Sequence, residues 1–128
     1  MVTQRRREAR VPTEPIVLDA PADLATGGSA ELFSGADHGI DVSFFLNHAA
    51  PGSGAEAHRH PYAEVFVVLD GDVAFTVDGR DHAGRGGHVV VVPAGAAHAF
   101  RNTGEGTLEM VSIHPVATMD TEWLEAPS

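Results

Sequence analysis

Two histidines one residue apart, His58 and His60, with Glu64 four positions further on, are the part of this 128-residue sequence best equipped for chemistry. In an extended segment alternate side chains face the same way, so His58 and His60 share a face and Glu64 keeps their parity. Pro61 interrupts the hydrogen-bond ladder and bends the chain between them. A fourth donor must come from elsewhere. His98 is the natural candidate, because the Pro93-Ala94-Gly95 turn re-aims the chain just before it. Three neutral imidazoles and one carboxylate form an N3O set suited to one divalent transition metal, Fe, Mn, Co, Ni, Cu or Zn. Four protein ligands saturate a tetrahedral zinc, whereas an ion that takes six keeps two neighbouring positions for water, substrate or dioxygen. A His-x-His pair alone is ordinary in a chain with eight histidines. Four donors converging from separate segments are not.

The elements that must position these residues read as short strands. Fourteen glycines and eight prolines punctuate β-rich segments, the rhythm of an all-β barrel or sandwich. Strands are expected at Ile16–Leu18, Ala30–Phe33 and Asp41–Asn47. A hairpin is expected from Glu64–Leu69 through an Asp70-Gly71 turn to Val73–Val77, with a second Asp-Gly turn at Asp78-Gly79. After the glycine-rich loop 84–87 comes His88–Val92, whose four valines predict a strand covered on both faces. Further strands are expected at His98–Asn102 and Leu108–Ile113, and one short helix or turn near Asp120–Glu125. Residues 1–15 read as a flexible tail, carrying Arg5, Arg6, Arg7 and Arg10, and residues 16–128 as one domain.

Composition narrows the chemistry. With no cysteine, disulfides, iron–sulfur clusters and thiol nucleophiles are excluded, so metal binding must use histidine and carboxylates. Eight arginines and no lysine against eighteen acidic residues give a net charge of −10, which repels phosphate backbones, so no nucleic-acid partner is expected. No apolar run is long enough for a membrane span and no apolar segment follows the arginines, so a cytoplasmic protein is expected. Serine-triad, phosphate-loop and dinucleotide fingerprints are absent.

The chain resembles the cupin superfamily, and the small single-domain bacterial members in particular. The first cupin motif, G-x5-H-x-H-x3-E-x6-G, is matched by Gly52, His58, His60, Glu64 and Gly71. The second, G-x5-P-x-G-x2-H-x3-N, is matched by Gly87, Pro93, Gly95, His98 and Asn102, with fifteen residues between the motifs. The resemblance covers about two-fifths of the chain. It implies a small antiparallel β-barrel of jelly-roll type that holds one metal on His58, His60, Glu64 and His98, with Asn102 tying down a turn. It also implies a homodimer.

Parity with the ligands predicts that Phe66, Val68 and Phe100 point into the barrel and make its cavity apolar, suited to a hydrophobic or aromatic small-molecule substrate. Tyr62, close to both ligand pairs, is a candidate to hydrogen-bond that substrate. His48 and His114, on strands expected to line the barrel, are candidates for a general base. Arg59 and Arg101 have the opposite parity and are expected to face outward. Trp123 and Leu124 are expected to pack on the barrel exterior or a partner, and His38, His82 and His88 carry no assigned role. The functional expectation is a metal-dependent enzyme, a dioxygenase or a redox-neutral cyclase or isomerase, with a non-catalytic binding module as the alternative.

Overall fold

The computed structural model describes residues 13–125; the arginine cluster and the rest of residues 1–12 lie outside them. The elements in chain order are α1 (Ala20–Asp23), β1 (Ala25–Gly27), β2 (Ala30–Phe33), a 3-10 turn (Gly35–His38), β3 (Ser43–Ala49), β4 (Gly54–Arg59), β5 (Glu64–Asp70), β6 (Asp72–Val77), β7 (Arg80–Arg85), β8 (Val89–Val92), β9 (His98–Asn102), β10 (Leu108–His114) and β11 (Glu122–Trp123). They form two antiparallel sheets, ordered β1-β2-β3-β10-β5-β8 and β11-β4-β9-β6-β7. This is the jelly-roll arrangement expected from the two motifs.

The sheets meet over a core to which the first contributes Phe66, Val68, Val92, Leu108 and Met110 and the second Val73 and Phe75. The rings of Phe66 and Phe75 lie 5.0 Å apart across the layers. Alternation sets this up: on β10, Leu108, Met110, Ser112 and His114 are buried while the residues between them are not. Each large apolar side chain hidden in this way stabilises the fold by roughly 1.5–3 kcal/mol.

The expected Glu64–Val77 hairpin does not form. β5 pairs with β10 and β8, and β6 pairs with β7 and β9, so Asp70-Gly71 is a corner between sheets. A two-residue hairpin turn of the favoured kind needs positive φ at both central residues. Only Gly71 has it at the first site (+103°), whereas Asp78 (+47°) and Gly79 (+80°) both do at the second. The true hairpin is therefore β6–β7, and β7 is a strand that its polar sequence concealed.

Three other expectations change. β8 is an edge strand, so Val89 and Val91 face outward at 62% and 63% exposure instead of being covered. Ile16–Leu18 forms no strand: Ile16 and Val17 are exposed, and the place beside β2 is taken by β1. In place of a terminal helix, Glu122 and Trp123 pair with Arg59 and His58 on β4, an arrangement reinforced by the Arg59–Glu122 ion pair and the Leu124 N–H donating to the Ala57 carbonyl.

Candidate metal centre

Each donor of the sequence motif is delivered by a distinct backbone device. His58 lies on β4, where a register shift against β9 sets Ala55 opposite Phe100 and His58 opposite His98. Three residues on one strand match two on the other, so this β-bulge reverses the parity of β4 and turns both Ala55 and His58 inward. His60 follows the strand and is anchored by its own carbonyl, which accepts from the Gly95 N–H at 2.8 Å. Glu64 opens β5 and His98 opens β9. All four are buried, and one donor atom from each lies within 4.8 Å of the others.

Hydrogen bonds fix which ring nitrogen each histidine presents. The Nδ1 atoms of His58, His60 and His98 lie 2.6, 2.8 and 3.0 Å from the carbonyl oxygens of Glu56, Asp120 and Ala96. A carbonyl only accepts, so these Nδ1 atoms carry hydrogen, and in the neutral ring Nε2 is a lone pair aimed inward. The Nε2 atoms of His60 and His98 then sit 3.0 and 2.9 Å from Oε1 of Glu64, acceptor against acceptor. His60 Nε2 is buried without a hydrogen-bond partner. A cluster of this kind is stable only around a positive charge, either added protons or a cation. Three imidazole lone pairs and a carboxylate oxygen fit a divalent transition metal on donor chemistry.

The electrostatics agree. Burial works to raise the Glu64 carboxyl, but contacts with the imidazoles of His114, His60 and His98 outweigh it and hold the group well below the usual carboxylate range. His58 is pushed down by burial, offset in part by the Glu56 carbonyl. For His60 burial lowers the value, and the Glu64 carboxylate with the Asp120 carbonyl more than reverse it.

Beside the cluster lies a cavity of about 360 Å³, lined by His58, His60, Glu64, Phe45, Phe66, Phe100, Asn47, Ser112, His114 and Trp123 among others. That volume suits a small organic molecule. Phe66 and Phe100 line it, whereas Val68 belongs to the packed core one step along β5 and does not. His114 is buried at the cavity, with Nδ1 2.7 Å from the Tyr62 hydroxyl. His48 is elsewhere. It lies on the outer face of β3, bridging Glu31 on β2 (2.9 Å) and Glu109 on β10 (2.5 Å), because its parity is opposite to that of Asn47. A general-base role at this site is therefore closed to His48. Arg59 and Arg101 are exposed as expected, and Asn102 ties the 102–106 turn to Ala49.

Sequence reasoning missed Asn47 and Ser112, a polar pair on the cavity wall in which Asn47 Nδ2 donates to Ser112 Oγ at 3.2 Å. Their inward parity on β3 and β10 was the available signal. Trp123 was also misplaced. It lies over His58 with ring centroids 4.8 Å apart and lines the cavity while staying largely exposed.

The chain is 27% identical over 116 residues to the HTH-type transcriptional regulator PuuR of Escherichia coli (strain K12), which covers 87% of this chain and 63% of the regulator. It is 36% identical over 69 residues to polyketide synthase CurC of Streptomyces cyaneus, covering 52% of this chain and 45% of that protein. A mutant oxalate decarboxylase of Bacillus subtilis superposes with a TM-score of 0.70 at 21% identity, covering 81% of this chain and 30% of the decarboxylase, a likeness of fold. The chain thus spans less than two-thirds of the regulator and less than a third of the decarboxylase. The cupin domain model matches residues 45–114, more than half of the chain and all four donors of the cluster, and the protein therefore belongs to the cupin family.

Proposed function

We propose that this cupin holds one divalent transition metal on His58, His60, Glu64 and His98 and acts by dioxygenase-type chemistry on a hydrophobic or aromatic small molecule in the adjoining cavity. The observation that supports this reading best is the set of inward lone pairs, buried and opening on a largely apolar cavity. A bound metal would supply a Lewis acid for a substrate oxygen and, as iron or copper, an electron partner for dioxygen. The chain's own residues supply the rest. Phe45, Phe66 and Phe100 exclude water and give flat apolar walls. Ser112 accepts from Asn47 and keeps its own hydroxyl hydrogen for a substrate acceptor.

The likeness to CurC favours a second reading, redox-neutral cyclisation or isomerisation at the same site. Metal analysis of protein purified without chelator or a nickel column, followed by oxygen-electrode assays over a panel of aromatic substrates, separates the two. Substrate-dependent oxygen uptake supports the first, and product without uptake the second. Binding without turnover supports a non-catalytic ligand-binding cupin. Protein that takes up none of the six metals overturns the site.

We also propose a homodimer. The outer face of the first sheet is apolar across three adjacent strands, with Val65, Val67 and Leu69 on β5, Val89 and Val91 on β8, and Val111 and Ile113 on β10. Exposed apolar faces of this kind mark interaction surfaces. Among the described residues no helix is long and apolar enough to cross a membrane.

A further inference from the structure

His114 is the buried group that the proposed ligand set leaves unused. It ends β10 at 2% exposure, and its Nε2 lies 3.1 Å from Oε2 of Glu64, off the line of a well-formed hydrogen bond. Its ring meets that of His60 edge-on at 4.7 Å. Proximity alone would make it a fourth nitrogen donor, but its hydrogen-bond surroundings are the reverse of those of His58, His60 and His98.

No carbonyl holds its Nδ1. The partner there is the Tyr62 hydroxyl at 2.7 Å, and that oxygen already accepts from the Asp120 N–H at 3.3 Å. The phenolic hydrogen is therefore free to point at His114, making Nδ1 the acceptor and placing the ring hydrogen of the neutral imidazole on Nε2. Three rings thus aim lone pairs into the cluster, and the fourth places an N–H beside it, 3.1 Å from Glu64 Oε2. Glu64 is divided accordingly. Oε1 faces His60 and His98, while Oε2 faces His114.

Building on the metal-centre reading above, we infer that His114, oriented by Tyr62, is a positioning residue whose Nε2 hydrogen beside Glu64 Oε2 would keep that oxygen off a bound ion, leaving Oε1 as the ligand atom and room for a ligand from the cavity. Groups that hydrogen-bond a metal ligand tune affinity and activity by about 10–100-fold when altered. Here the effect has a direction. Loss of the N–H should let Oε2 swing onto the ion and close the open position.

The test uses the cobalt(II) form of the full chain and titrates azide by visible absorption in wild type, His114→Leu, His114→Gln and Tyr62→Phe. Glutamine keeps an N–H near the position of Nε2, and leucine does not. The expected result is one cobalt per chain throughout, azide bound at least about tenfold more weakly by His114→Leu, and His114→Gln within about threefold of wild type. Tyr62→Phe should fall between them. Equal azide affinity in cobalt-loaded wild type and His114→Leu overturns this inference alone. Folded His114→Leu and His114→Gln proteins that both lose cobalt show His114 to be a ligand and likewise overturn it. Wild-type protein that takes up no cobalt overturns the metal-centre reading and this inference with it.

Discussion

His58 stands directly opposite His98 in the β4–β9 pair, although strict alternation from Ala55, which faces Phe100, would turn it outward. The bulge between them makes the difference, and Gly54 lets the strands come close enough to form it. A Cβ at position 54 would meet the Phe100 carbonyl oxygen at 1.8 Å, a collision with backbone that no rotamer relieves. Gly54→Ala should therefore push β4 off β9 and cost roughly 1–3 kcal/mol, as overpacking does elsewhere. Because the same movement separates His58 from His98, metal content should fall along with the unfolding temperature. Calorimetry and elemental analysis of one preparation check both, and an unchanged variant would show the close approach to be irrelevant.

Removing a donor should act on stability through mass action. Metal bound only by the folded protein adds about 2.7 kcal/mol when the free ion is at a hundred times its Kd. His60→Ala and Glu64→Ala should lose most of their metal and unfold several degrees earlier than the loaded wild type. The gap should close when wild type is stripped with chelator. A gap that survives stripping would place the loss in packing and not in metal binding.

Much of this site was legible in the sequence, for reasons that can be named. The spacing of His58, His60 and Glu64 along one extended segment and the proline-glycine turn before His98 are local geometry, which is what spacing encodes; the bulge against β9 that turns His58 inward is not. The partner of a strand is not local. Asp70-Gly71 and Asp78-Gly79 look alike as dipeptides, yet one is a sheet corner and the other a hairpin, because positive φ at Asp78 but not at Asp70 depends on what the following strand pairs with. His48 failed for a related reason. Its neighbour Asn47 has the inward parity, and a single-residue offset moves a side chain from cavity to solvent. Trp123 depended on a two-residue strand, too short to carry any periodicity.

The pairing of His48 with two carboxylates gives a pH signature. The Glu109 hydrogen bond raises its value above the ordinary 6.5, partly opposed by burial and aided by Glu31. A folded-state value above the unfolded one means that the stabilisation is fully present below the unfolded value, about pH 6.5, and is lost as pH climbs through the raised value. His48→Gln should thus unfold earlier than wild type at pH 6 and match it at pH 9. The difference should stay at or below about 1 kcal/mol, since solvent-exposed pairs are screened. Thermal melts of both proteins at the two pH values decide it, and a gap that widens toward pH 9 would reverse the sign argued here.

Trp123 should contribute to ligand binding without contributing to metal binding. Its backbone is held by pairing with His58 and by the adjacent Leu124 N–H, so truncation leaves β11 in place. An aromatic ring stacked on the indole gains about 1 kcal/mol beyond area burial, so Trp123→Ala should weaken aromatic ligands by about fivefold. Aliphatic ligands should be affected less. Isothermal titration with matched aromatic and aliphatic carboxylates, on samples of equal metal content, reads the difference directly.

The apolar outer face of the first sheet makes the last prediction. Val89 and Val91 lie on β8, an edge strand, where bare apolar surface invites uncontrolled strand pairing unless something covers it. A second copy docked on β5, β8 and β10 would cover it, provided that each partner buries on the order of 800 Å², the usual scale for a stable interface. Val91→Asp places a charge on that face, opposite Val65 in the β5–β8 pair, with its side chain on the exposed side of the sheet, away from the buried donors of the metal cluster. It should convert the dimer to monomer in sedimentation velocity at micromolar concentration while leaving metal content unchanged. Wild-type protein that sediments as a monomer, or a Val91→Asp variant that remains a dimer, removes this face as the interface.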